Sequence, residues 1–146
     1  MHLAYDVRPF LSQATGVGHY LQRLLAALAE RPDAPCCHLF SSSRKERFDP
    51  GKLPPALKPL LVDRRIPVRG LNFFWHHLRF PPVDWLLRQK VDLAHSPTPL
   101  ILPSRGRSLV TVHDLFFLSR PGLARGEMRR DYPRLLAASL RRADGV

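Results

Sequence analysis

The residues whose types and spacing could do chemistry lie at three points along the chain. The first is Thr15-Gly16-Val17-Gly18-His19-Tyr20, which follows Asp6-Val7-Arg8-Pro9. Two glycines let a backbone come close to a ligand, because no Cβ intervenes. They open a segment in which Val17, Tyr20, Leu21, Leu24, Leu25 and Leu28 fall on one helical face. The unpaired N–H groups and positive dipole end of such a helix favour an anion such as a phosphate. The second point is His95, in Asp92-Leu93-Ala94-His95-Ser96-Pro97, and the third is His113-Asp114, after Val110-Thr111-Val112. An imidazole can donate, accept or carry a proton near neutral pH, and an adjacent carboxylate can orient it.

Each of these has a plainer reading. The glycines could serve only a tight connection. His95 could satisfy a backbone carbonyl or a carboxylate, as histidines at strand ends often do. His113, with Asp114 behind it, leans towards function. Asp6 is either a ligand contact or a carboxylate that organises its loop by accepting backbone N–H bonds. Arg8 either meets an anion or is solvated. A dinucleotide fingerprint is not present: its third glycine would fall at Leu21, and no acid follows Cys36-Cys37-His38-Leu39-Phe40, which runs into Ser41-Ser42-Ser43. No metal site is expected at Cys36-Cys37-His38, since neighbouring strand residues point to opposite faces. His76-His77 lacks the spacing of a helical metal pair.

These residues need elements to position them. Leu3 to Val7 reads as a first strand, and Val17 to Arg31 as a helix stopping before Pro32. Cys36 to Phe40 reads as a second strand and Leu60 to Val62 as a short third. Ser41 to Leu60, polar and rich in proline, reads as a loop. Leu71 to Phe80 is aromatic and basic together; it reads as a core helix with Phe73, Trp75 or Phe74, and Leu78 packed inward. The alternative is a segment that dips into a membrane interface or grips a lipid-linked acceptor. Val83 to Lys90 suggests a short helix. Val91 to His95 and Leu109 to Asp114 read as strands that both finish in a histidine. Glu127 to Arg142 is helical, with a bend or a fresh start near Asp131 because Pro133 interrupts it. Val146 reads as the first apolar residue of a further strand, so the chain is expected to stop in mid-fold. Strands alternating with helices predict an α/β domain over 1–146, with parallel strands and helices on both faces. In such a sheet Asp6, the glycine loop, His95 and His113 share the edge that carries ligand sites.

Composition narrows the function classes. A chain of 146 residues, 45% hydrophobic, supports one globular domain with a real core. No run approaches a membrane span, and Asp6 and Arg8 interrupt the first apolar stretch, so a cytoplasmic protein is expected. The net charge of +11 comes mostly from arginines spread along the chain. It fits phosphorylated ligands, an anionic membrane surface, or an arginine-rich composition with no special partner. Zinc-finger spacing and RNA-binding aromatic motifs are lacking, which argues against nucleic acid.

Taken in order, Asp6-Val7-Arg8-Pro9, Thr15-Gly16-Val17-Gly18-His19-Tyr20, Asp92-Leu93-Ala94-His95-Ser96-Pro97, Val110-Thr111-Val112-His113-Asp114-Leu115 and Arg141-Arg142-Ala143-Asp144-Gly145-Val146 span nearly the whole chain. The ordered set resembles the N-terminal half of family 4 glycosyltransferases, retaining enzymes with the GT-B fold. The resemblance implies a Rossmann-like, acceptor-side domain that faces a donor-binding C-terminal domain absent from this chain. It implies a nucleotide-sugar donor, a hydroxyl acceptor, no bound metal or cofactor, and no activity from the N-terminal domain alone. By motif, Gly16, Val17 and Gly18 would approach the donor's phosphate and sugar, His113 would touch the donor sugar near the reacting centre, and Asp114 would fix the surrounding loop. His95 stands beside them as a substrate-binding candidate. A basic module for membrane or nucleic-acid surfaces is the competing class; its binding would be salt-sensitive and indifferent to Gly16 and His113.

Overall fold

Leu3, Tyr5 and Val7 alternate with Ala4 along the first strand, and the alternation sends them to two different cores. The structure is a computed structural model and describes residues 1–11, 16–120, 122 and 126–146. Five strands form one parallel sheet: β1 (His2–Asp6), β2 (Cys36–Ser42), β3 (Leu61–Arg64), β4 (Leu93–Ser96) and β5 (Arg107–Val110), in the order β3-β2-β1-β4-β5. The order reverses at β1, which has β2 on one side and β4 on the other.

Helix α1 (Gly16–Ala29) covers one face. Its Leu21 and Leu25 pack with Leu3, Tyr5, Val7, Cys37 and Leu39. Helices α2 (Val68–His77) and α3 (Val83–Leu87) cover the other, where Leu71, Trp75, Val83 and Leu87 meet Ala4, Phe40 and Ala94. Helices on both faces are what parallel strands require, since both sides of each strand must be buried. Burying a side chain such as Leu25 or Phe40 contributes about 1.5–3 kcal/mol. Trp75 buries its ring against Phe40, with centroids 5.5 Å apart, and its indole N–H donates to the Pro81 carbonyl at 2.9 Å. Two more helices, α4 (Phe116–Ser119) and α5 (Gly126–Leu140), complete the chain, and Phe117 and Leu136 form a small core between them.

Several boundaries differ from the sequence reading. The strand expected over Leu109–Asp114 ends at Val110, so His113 and Asp114 stand on the loop beyond it. The last ladder bond is Thr111 N–H to the Ser96 carbonyl at 2.9 Å, and beyond it Pro97, whose ring sets its backbone, turns the neighbouring strand into the β4–β5 connection. One helix runs through Pro133 with no fresh start near Asp131. Packing past the proline holds it: Leu136 is buried, and Ser139 Oγ donates to the Pro99 carbonyl at 2.6 Å. Helix α2 begins earlier than expected and turns only part of its apolar content inward. Leu71 and Trp75 are buried, whereas Phe73, Phe74 and Leu78 are 57%, 48% and 62% exposed. The strand expected at Val146 shows as a single parallel bridge between Leu109 and Gly145. Among the described residues, no helix is long and apolar enough to cross a membrane.

Candidate functional site

A cleft of about 440 Å³ opens at the C-terminal edge of the sheet, where the strand order reverses. This is the place where open α/β sheets collect ligands. Asp6, Arg8 and Pro9 come to it from the end of β1, and Val17 from the first turn of α1. Val68 and Asn72 of α2 form one wall, and Thr98, Pro99 and Leu100 of the β4–β5 connection another. His113, Asp114, Phe117 and Tyr132 close it.

The floor is a fixed ion pair. Arg8 Nη2 lies 2.7 Å from Asp6 Oδ2 and Arg8 Nε 2.9 Å from Asp6 Oδ1, while the Arg8 backbone N–H donates to the same Oδ1 at 3.0 Å. Arg8 Nη1 donates to Asn72 Oδ1 at 2.7 Å, and the guanidinium sits over the Trp75 ring at 4.7 Å. Both charged side chains are nearly buried, at 10% and 4% exposure. Asp6 is therefore the loop-organising carboxylate, and Arg8 is neither solvated nor waiting for an anion. A buried pair of this kind fixes geometry more than it adds stability.

His113 is held by backbone. Its Nε2 lies 3.1 Å from the Pro97 carbonyl oxygen, which can only accept. Nε2 therefore carries the proton, and in the neutral ring Nδ1 keeps a lone pair. Tyr20 packs edge-on against the same ring at 4.8 Å. His113 is exposed and lines the cleft together with Asp114.

His95 takes a different place. It lies within β4, 4% exposed, beside Tyr5 at 5.3 Å, and does not line the cleft. Its Nε2 is 2.7 Å from Thr111 Oγ1, which in turn lies 3.5 Å from the Tyr20 hydroxyl. Burial pushes its pKa down to about 4, and the neighbouring His113 adds to the shift. His95 is thus a neutral core histidine that supports Thr111 and Tyr20, the residues beneath His113.

The glycine motif divides. Thr15 lies outside the described residues, as do residues 12–14. Gly16 begins α1, and a Cβ added there would meet nothing within 4 Å. Val17 faces the cleft and Gly18 is buried. Of the motif's residues Val17 alone lines the cleft; Gly16 and Gly18 do not.

The cleft also recruits residues that sequence reasoning passed over. Asn72 is a polar residue beside the buried Leu71 on an otherwise apolar inner face, which was its only signal. Tyr132 belongs to the apolar stripe of α5 and packs edge-on against Phe117 at 5.7 Å.

A larger open groove of about 1100 Å³ lies at the opposite edge of the sheet, with Arg88, Lys90, Arg105 and Arg107 on its walls. Its carboxylates are already engaged by backbone N–H groups and, for Asp84, by the Ser104 hydroxyl at 3.0 Å. Asp84 accepts from the N–H groups of Arg105 and Val91, and Asp144 from that of Ser108. The smaller cleft holds the convergent polar groups and is the better candidate.

One argument made from the sequence fails at this opposite edge. Cys37 does turn away from its neighbours into the α1-side core, but Cys36 and His38 share the other face. His2 of β1, in register with Cys36, joins them, and the three ligating atoms lie within 4.8 Å of one another. Among the described residues this is the one cluster of three or more His, Cys, Asp or Glu able to hold a metal ion, and none lies in the cleft.

No protein family, no curated protein and no solved structure matches this chain.

Proposed function

We propose that this chain is the acceptor-side domain of a retaining glycosyltransferase of the GT-B type, working in the cytoplasm with a nucleotide-sugar donor and a hydroxyl acceptor. One observation carries the reading: Val17 at the start of α1 and His113-Asp114 beyond β5, far apart in sequence, line one cleft at the sheet's switch point. In the reaction the bond from the anomeric carbon to the diphosphate oxygen breaks and the nucleoside diphosphate leaves. The acceptor oxygen bonds to the same carbon and its proton passes to the leaving diphosphate or to solvent. Charge builds on the diphosphate, which the positive dipole end of α1 favours. The anomeric carbon becomes oxocarbenium-like. With Nε2 committed to Pro97, His113 presents Nδ1 as an acceptor for a sugar hydroxyl or backbone amide at that centre. Asp114 shapes the loop around it, and Gly16, at the start of α1, would let a phosphate approach the helix end.

The test is a transfer assay on the complete gene product, with a panel of nucleotide-sugars and the anomer of the product read by NMR. Retention is expected without added metal. His113→Ala should lower kcat by about 10²-fold or more while leaving the acceptor KM nearly unchanged. Inverted product, or unaltered kcat in His113→Ala, overturns the reading.

A second role is favoured by the outer face of α2 and the segment that runs from it into α3. Phe73, Phe74, Leu78, Phe80 and Trp85 are all about half exposed or more, on a strongly basic chain. Such a surface suits peripheral contact with an anionic membrane, which is compatible with a lipid-linked acceptor.

A further inference from the structure

We infer that His2, Cys36 and His38 form a transition-metal site, with Zn²⁺ as the fitting ion, at the N-terminal edge of the sheet and away from the cleft. The site is made by strand register. His2 of β1 pairs with Cys36 of β2, and Ala4 pairs with His38, so the three side chains share a face of two bonded strands. His2 Nδ1 lies 3.0 Å from His38 Nε2, and Cys36 Sγ lies 3.6 Å from the same nitrogen. The two imidazoles meet end to end through that contact, their centroids 5.3 Å apart and their planes 10° from parallel.

Two of those separations are close to what a tetrahedral ion demands, and all three ligand atoms lie within 4.8 Å of one another. With Zn–N near 2.0–2.1 Å and Zn–S near 2.3 Å, nitrogen ligands stand about 3.4 Å apart and nitrogen and sulfur about 3.6 Å. To bind the ion the imidazole pair opens by about 0.4 Å and each ring turns by about 35°, which gives up the hydrogen bond between them. Two imidazoles and a thiolate are a borderline-soft set that suits Zn²⁺ and disfavours Mg²⁺ and Ca²⁺. Cys36 is exposed, so the fourth position falls to solvent. Binding is not a redox step: the Cys36 thiol gives its proton to solvent and its sulfur bonds the metal. An ion here would clip the start of β1 to β2. The inference does not depend on the glycosyltransfer reading, since no cleft residue takes part.

Co²⁺ titration of the untagged 146-residue chain, in a non-thiol reductant, tests it. One equivalent should give the intense visible bands of tetrahedral Co²⁺ with a thiolate charge-transfer band in the near ultraviolet, both removed by one equivalent of Zn²⁺. Cys36→Ser should abolish the charge-transfer band. His2→Ala, which alters only the first strand residue and leaves the core intact, should weaken Co²⁺ binding at least about tenfold. Cys37→Ser should bind as the parent does, because Cys37 faces the other core. Absence of saturable tetrahedral binding overturns the site, as does a charge-transfer band that survives Cys36→Ser, or binding indifferent to His2→Ala.

Discussion

His95 shows how one buried imidazole ties stability to pH. In the unfolded chain it takes up a proton near its ordinary value of about 6.5; in the folded chain burial delays that to about 4. Above pH 6.5 both states hold it neutral, and it contributes no pH dependence. Between 6.5 and 4 the unfolded state binds more protons, so stability falls as pH falls, and the loss is complete below 4. The full effect is on the order of 3 kcal/mol. Denaturant unfolding of the parent and of His95→Gln, measured from pH 7.5 down to about 4, should give curves that converge by roughly that amount. Parallel curves would show that the group is not held neutral. The contrast with His113 was only partly legible in the sequence. Both histidines follow a β-branched or apolar run, but burial of one and exposure of the other depend on where each strand stops. The stop of β5 comes where its partner β4 ends at Ser96, a fact of pairing that no local pattern carries.

At the scale of elements, the connection between β4 and β5 bears the most weight. Residues 97–106 join two parallel strands with no helix between them, a short path for a crossover. It is held by Leu102 N–H donating to Ser96 Oγ at 2.6 Å and by Val83 N–H donating to the Pro103 carbonyl at 2.7 Å. At its end Gly106 lies against the chain entering β4. A Cβ there would overlap the Val91 carbonyl oxygen and approach that of Asp92 to 2.6 Å. Backbone cannot yield as a flexible side chain can, so Gly106→Ala should cost about 1–3 kcal/mol, read as a lower denaturant midpoint with unchanged m-value. Gly16→Ala, with nothing within 4 Å of the added Cβ, should cost less than 0.5 kcal/mol by the same measurement. If Gly106→Ala is silent, the crossover does not pack as described. Strand β1 and helix α1 could be read from periodicity because each buries one continuous face. The β4–β5 crossover could not, since proline-rich sequence specifies turns without saying which strands they join.

For the molecule as a whole, the parallel sheet with two helical faces followed from alternating elements, and Asp6, Arg8, Val17, His113 and Asp114 line one cleft at its edge, whereas His95, Gly16 and Gly18 do not. What escaped was the outward turn of α2. Leu71 and Trp75 satisfy the α2-side core; Phe73 lies about 200° round the helix from Leu71, Phe74 sits at the edge of the buried stripe, and Leu78 follows the last helical residue, His77, so all three stay exposed. An aromatic segment can fill a core or face a membrane, and only the position of its neighbours decides. Exposed rings contribute burial in the interface, and each arginine near an anionic surface adds about 1 kcal/mol, screened by salt. The two contributions can be separated. Co-sedimentation with vesicles containing anionic lipid should fall steeply between 50 and 500 mM salt, on the order of tenfold or more. Phe73→Ser with Phe74→Ser should weaken what remains at high salt, where charge is screened and ring burial persists. Binding that follows charge alone, unchanged in the double variant, would make the arginines a general polyanion surface and remove α2 from the contact. Binding that also ignores His113→Ala separates membrane contact from the cleft, as expected if α2 docks the domain and the switch-point edge handles the sugar.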